Sequence, residues 1–140
     1  MPDFDKLLSG TLPQMPAAFA TADADLNVLV ADASAALQKR TSGRVVLQLT
    51  PVREGLDGTL YALALMADKQ GPVLEGLLVG AQGYPIASGT IMNMSDVPML
   101  APGTRKEFRD KQALEAHFTE LFTSSSSPLL IQLSYLLSRK

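Results

Sequence analysis

The chain has no cysteine and no tryptophan, and its single histidine is His117. Without thiols there is no disulfide, no thiolate nucleophile and no cysteine-ligated zinc or iron–sulfur centre. One histidine leaves little from which to build a metal site or a Ser-His-Asp relay. Charge of one sign is scarce as well: 12 basic and 14 acidic side chains leave a formal net charge of −2 over 140 residues. Duplex nucleic acid requires a long basic face, so it is not an expected partner. No apolar run reaches the roughly 18–20 residues needed to cross a bilayer, so a membrane is not expected either. The first residues, Met1-Pro2-Asp3-Phe4-Asp5-Lys6, carry neither a basic start nor an unbroken apolar stretch. A secretory signal needs both, and the cytoplasm is the expected compartment.

Apolar residues are plentiful, at 46% of the chain. That is too many for a disordered segment at so low a net charge, and the length suits one domain. Residues 1–20 hold Pro2, Gly10, Pro13 and Pro16 and read as an N-terminal arm. Within it, Phe4, Leu7 and Leu8 suit one short helical turn docked on the body. Residues 21–140 read as a single α+β domain. A helix is expected over 21–40, capped by Thr21 or Asp23. Leu26, Val30, Ala33 and Leu37 recur there at three- and four-residue intervals. Lys39 and Arg40 suit its last turn and Gly43 its stop.

The period then changes from helical to alternating. Four strands are expected, over about 44–54, 59–69, 73–82 and 85–92, with turns at 55–58 and 69–72. Pro51 cannot donate to a ladder, so the first strand needs a free edge or a bulge there. Connections this short force an antiparallel meander, because parallel neighbours need a crossover of a dozen or more residues. The second strand is apolar on both faces: Tyr61, Leu63, Leu65 and Ala67 on one, Leu60, Ala62, Ala64 and Met66 on the other. Residues 93–103, with Pro98, Pro102 and Gly103, read as a loop anchored by Val97, Met99 and Leu100. A helix is expected from Thr104 or Asp110 to Thr123, with Leu114, Phe118, Leu121 and Phe122 as its stripe. Ser127 and Pro128 suit the start of a last helix, apolar over most of its circumference through Leu129, Leu130, Leu133, Leu136 and Leu137. The expected fold is therefore α+β: a four-stranded antiparallel meander flanked by an N-terminal helix and two C-terminal helices.

Few side chains suggest chemistry. His117 falls beside the apolar stripe of its helix, with Glu115 and Glu120 as the nearest carboxylates in sequence, and reads as a half-buried helix histidine. The Asp3/Asp5 and Asp23/Asp25 pairs open helices, where acids complement the dipole more simply than they hold a cation. Glu75 interrupts an apolar strand. Facing the core it would need a partner, with Arg44 or Arg53 as candidates; facing out it would be an ordinary surface charge. Gly76, Gly80 and Gly83, followed by Tyr84-Pro85, suit either a kinked sheet or a shallow groove with Tyr84 on its rim. Ser124 to Ser127 suit a helix connector, or an anion held at a helix start. Arg105, Lys106, Arg109 and Lys111 read as a solvated approach to the third helix. Met66, Met92, Met94 and Met99 gather late in the sheet, as gap-fillers or as an adaptable surface. No P-loop, EF-hand loop or dinucleotide fingerprint is present, so neither cofactor nor metal is expected.

In size, acidity and alternation of helix with meander, the chain resembles small bacterial secretion chaperones and toxin-neutralising immunity proteins. That resemblance implies a protein that caps a partner. Open sheet edges and the apolar last helix point the same way. The expected function is a non-enzymatic protein-interaction module, homodimeric or capping a protein partner, with Leu129, Leu133, Leu136 and Leu137 at the interface. The alternative is a small ligand-binding protein or enzyme. Its site would lie between the sheet and the 93–103 loop, near Glu75, Gly80, Tyr84 and His117.

Overall fold

A computed structural model describes residues 3–11, 14–55, 58–67 and 71–138. Helices α1 (Phe4–Thr11) and α2 (Gln14–Thr41) open the chain. Strands β1 (Val45–Gly55), β2 (Gly58–Ala67), β3 (Val73–Gly80) and β4 (Gly83–Gly89) follow as the expected antiparallel meander. Then come β5 (Ile91–Met94), β6 (Val97–Leu100), β7 (Lys106–Phe108), α3 (Lys111–Thr123) and α4 (Pro128–Ser138). The main sheet has five strands in the order β1-β2-β3-β4-β7, and β5 pairs only with β6. The protein is α+β, with its helices on one face of the sheet and the β5–β6 hairpin on the other.

Several boundaries differ from the sequence reading. The long helix starts at Gln14 rather than near Thr21, with Pro16 in its first turn, where a missing N–H costs nothing. Phe4 and Leu7 do not dock on the body; they are 68% and 58% exposed. The expected 93–103 loop is mostly the β5–β6 hairpin, whose turn residues Ser95 and Asp96 both have positive φ, 52° and 65°. Both central residues of a tight type I′ hairpin turn adopt that conformation. Of the two starts expected for the third helix, Thr104 and Asp110, the structure takes the second: Asp110 caps α3 (Lys111–Thr123) by accepting from the Ala113 N–H at 2.8 Å. The basic approach to that helix is instead strand β7, paired with β4. Parts of the two expected turns, at 56–57 and 68–70, and Pro13 lie outside the described residues.

Helix α2 packs on the sheet against β1, β3 and β4. Ala22, Leu26, Val30 and Leu37 are buried against Leu47, Leu63, Leu65, Leu77 and Val79. Polar bonds pin it at both ends. At its N-terminal half, Tyr61 of β2 donates to Asp23, and Tyr84 of β4 donates to Asp25 Oδ2 at 2.9 Å. Residues two apart on a helix point to opposite flanks, so Asp23 and Asp25 hold the helix from either side. At its C-terminal half, Ser34 accepts from the Leu47 N–H and Thr41 from the Val45 N–H, each at 3.0 Å. Ser42 (φ 56°) and Gly43 (φ 81°) then turn the chain into β1.

Those hydroxyls also guard the edge of the sheet. β1 is an edge strand, and two of its amides that turn away from β2 are taken by α2. Pro51 offers no N–H, and the ladder bulges between Pro51 and Arg53. At the far edge, β7 is only three residues long. The open edges expected from the sequence are thus blunted, and edge-to-edge pairing is discouraged.

Burial pushes the Tyr61 phenol up to about 12, helped by its bond to Asp23, and the Tyr84 phenol is raised in the same way beside Asp25. The folded state holds these protons more tightly than the unfolded chain, in which a phenol titrates near 10. The contribution is therefore complete below about pH 10 and is lost as pH rises toward about 12. Urea midpoints measured at about pH 9 and about pH 11.5 should fall steeply for the native chain. The fall should be shallower in Tyr61→Phe and shallower still in the Tyr61→Phe/Tyr84→Phe double variant.

Candidate functional site

The central strands are covered on both faces, and the two covers produce different chemistry. On the helix face, Leu77 and Val79 of β3 are fully buried in the main core. Glu75 lies on that same face by strand alternation. Its partner is neither Arg44 nor Arg53, as the sequence suggested, but His117: Glu75 Oε1 lies 2.8 Å from His117 Nε2. Their side chains are 15% and 11% exposed. Their separation of 42 positions hides this pairing from any local reading of the sequence. Helix α3 sets it up by burying Leu114, Phe118 and Leu121, which leaves His117 on the flank turned toward β3.

The imidazole is held by aromatic rings as well as by the carboxylate. It lies against Phe108 of β7, with centroids 4.5 Å apart, and edge-on to Phe118 at 6.0 Å. The Lys106 ammonium stands over the Phe108 ring, 5.8 Å from its centroid. A small cleft of ≈ 230 Å³ opens beside the pair, lined by Lys106, Glu120, Ser124, Ser126 and Ser127 among others. Its serines serve the backbone and each other. Ser127 caps α4, accepting from the Leu130 N–H at 3.1 Å and donating to the Leu121 carbonyl at 2.6 Å. Ser124 and Ser126 bond one another at 3.0 Å. Among the described residues, no three His, Asp or Glu side chains converge in a way that could hold a metal ion. The arrangement is a satisfied sheet-to-helix pair with a shallow polar mouth.

Gly80 and Tyr84, which the sequence placed with Glu75 and His117, lie elsewhere. They line a separate cleft of ≈ 420 Å³ at the β3–β4 turn, with Arg105 on its wall. The Tyr84 hydroxyl is committed to Asp25 and the Arg105 guanidinium lies 3.4 Å from Glu107. The four candidate binding residues therefore do not form one site. Nor do Glu75 and His117 meet between the sheet and the 93–103 segment, because that segment covers the opposite face.

On that opposite face a second, smaller core holds Leu60, Ala87 and Leu100, with Leu78 and Ile91 packed against it. Gly76 is the notch that admits the hairpin. A Cβ there would lie 2.5 Å from Ile91 Cγ1 and 2.8 Å from Leu100 Cδ2. Arg53 Nε donates to the Pro98 carbonyl at 2.8 Å and ties the hairpin to β1. Between these two attachments the hairpin stands off the sheet. The gap is a groove of ≈ 440 Å³ lined largely by Val52, Ala62, Val73, Leu74, Ile91 and Pro98. The sequence places a site between the sheet and the 93–103 segment, but with that segment as a loop and with Gly80, Tyr84 and His117 on the walls, none of which borders this groove.

The interface candidates on α4 divide. Leu129 is fully buried in its own chain's core, so it has no surface left for a partner; Leu133 and Leu136 are partly buried against the same core. Leu137 is 44% exposed, and Ile131 and Tyr135, which the sequence reading passed over, are 53% and 56% exposed. No helix among the described residues is long and apolar enough to cross a membrane. No protein-family model, curated protein or solved structure matches the chain.

The Glu75–His117 pair makes a direct prediction. Glu75→Ala or His117→Ala strands a mostly buried polar partner and should each cost about 1–3 kcal/mol in denaturant unfolding. Glu75→Leu/His117→Leu should cost less than the sum of Glu75→Leu and His117→Leu, because the double variant strands neither partner. On the other face, Gly76→Val should cost about 1–3 kcal/mol by pushing Ile91 and Leu100 out of the notch.

Proposed function

We propose that the protein is a non-enzymatic interaction module that acts as a homodimer through the outer face of α4. The observation that carries this reading is the chemistry of that helix. Pro128–Ser138 contains no charged residue, although half of its circumference faces outward. Ile131 and Tyr135 lie four residues apart on that outward face, flanked by Ser134 and Ser138. A solvent-facing helix surface ordinarily carries charge, and an uncharged face with an apolar pair suits an isologous contact with a second copy. The blunted sheet edges leave this face as the better place for association. The satisfied Glu75–His117 pair favours a structural over a catalytic use of the one histidine. Capping of a different protein by the same face is the competing outcome.

Light scattering on the native chain across micromolar concentrations tests the proposal. The expected result is the mass of two chains, reduced to one by Ile131→Lys with an unchanged circular dichroism spectrum. A native chain that stays monomeric throughout overturns the homodimer.

A second reading rests on the groove between the sheet and the β5–β6 hairpin. It lies where a site was expected between the sheet and the 93–103 segment, although its walls differ from the expected ones. This groove is independent of α4 and supports a ligand-binding role alongside association.

A further inference from the structure

We infer that the hairpin groove takes a small, uncharged, largely apolar molecule with a single neutral polar group. The inference rests on the reading of the groove as a ligand site and adds the class of ligand. Its volume, ≈ 440 Å³, falls in the lower part of the roughly 300–1,000 Å³ span of small-molecule sites. The two walls differ in kind. The sheet wall is apolar, built from Val52, Ala62, Val73 and Leu74. The hairpin side adds Ile91 and Pro98, with two uncharged polar residues, Thr90 and Asn93, also on the lining.

The charge balance is what selects the ligand. Glu75 also borders the groove, but its carboxylate is held by His117 on the other face of the sheet. Arg53, the cation at the rim, is engaged with the Pro98 carbonyl, so a charged ligand would lose hydration on entering and meet only charges that already have partners, which is costly. A neutral molecule can lay an apolar body on the sheet wall and reach Thr90 or Asn93 with one hydrogen-bonding group. Two attachments hold the hairpin wall to the sheet. Ile91 sits in the Gly76 notch and the Arg53 bond anchors Pro98, so little ordering remains to be done when a ligand enters.

Two fluorescent probes of nearly the same shape test this in the native chain. N-phenyl-1-naphthylamine is neutral; 8-anilinonaphthalene-1-sulfonate adds a sulfonate to the same rings. The neutral probe should bind saturably, one molecule per chain, and at least about tenfold more tightly than the anion. Val73→Lys places a charge on the groove wall at a position already 55% exposed, so the fold tolerates it. It should weaken the neutral probe by about tenfold or more with an unchanged melting temperature. Ala62→Phe should fill the groove to the same effect, and Ile131→Lys, on α4, should change nothing. Equal binding of both probes, lost in Val73→Lys, would keep the groove as a site and overturn its selectivity for neutral ligands. Absence of saturable binding by either probe, or binding indifferent to Val73→Lys, would overturn the ligand site itself.

Discussion

The central strands are apolar on both faces, and everything else in the molecule answers that constraint. A half-buried sheet needs one cover; β2 and β3 need two. Helix α2 and the α3–α4 pair cover one face and bury the larger core. The other face has no helix to cover it. It is closed by a two-stranded hairpin, which is attached at the Gly76 notch and through the Arg53–Pro98 bond and leaves part of the sheet between them uncovered. The groove follows from that shortfall: it is the stretch of apolar sheet that the second cover does not reach.

The same constraint explains why polar groups occur where they do. Asp23 and Asp25 flank the buried stripe of α2 and meet tyrosines from β2 and β4, so the helix is held in rotation as well as in place. Ser34 and Thr41 lie within the stripe, and both are spent on amides of the edge strand. Glu75 is a charge on a core-facing position, which is tolerable only because His117 reaches it from α3. In each case a side chain that would be costly when buried alone is used to fix the position of one layer on another.

Much of the architecture was legible from period and punctuation. Alternation marked the four meander strands, the three- and four-residue recurrence marked α2 and α3, and Ser127-Pro128 marked the start of α4. Strand β7 was not legible, because three residues carry no periodicity and Lys106 and Glu107 read as solvated charge. The hairpin was hidden by Pro98 and by a turn made from Ser95-Asp96 instead of a glycine pair; the short apolar runs on either side of it were the available signal. Of the candidate site, Glu75 and His117 were each conspicuous, but their pairing joins residues 42 positions apart and leaves no local trace. The α4 residues expected at an interface are four of its leucines, and the inward-facing ones among them are those a helix buries first in its own chain.

The sequence alone determined the class of fold, the antiparallel order of the meander, the cap of the last helix, and the absence of thiol chemistry. These depend on local period, short connections and composition, which are properties of neighbouring residues. The tertiary structure decided which side chains meet. It paired Glu75 with His117, separated both from Gly80 and Tyr84, buried Leu129 while leaving Ile131 outside, and opened a groove under a hairpin. Those outcomes depend on how two covers of unequal size settle on one sheet. That is a matter of shape and packing across the whole chain, and no window of sequence contains it.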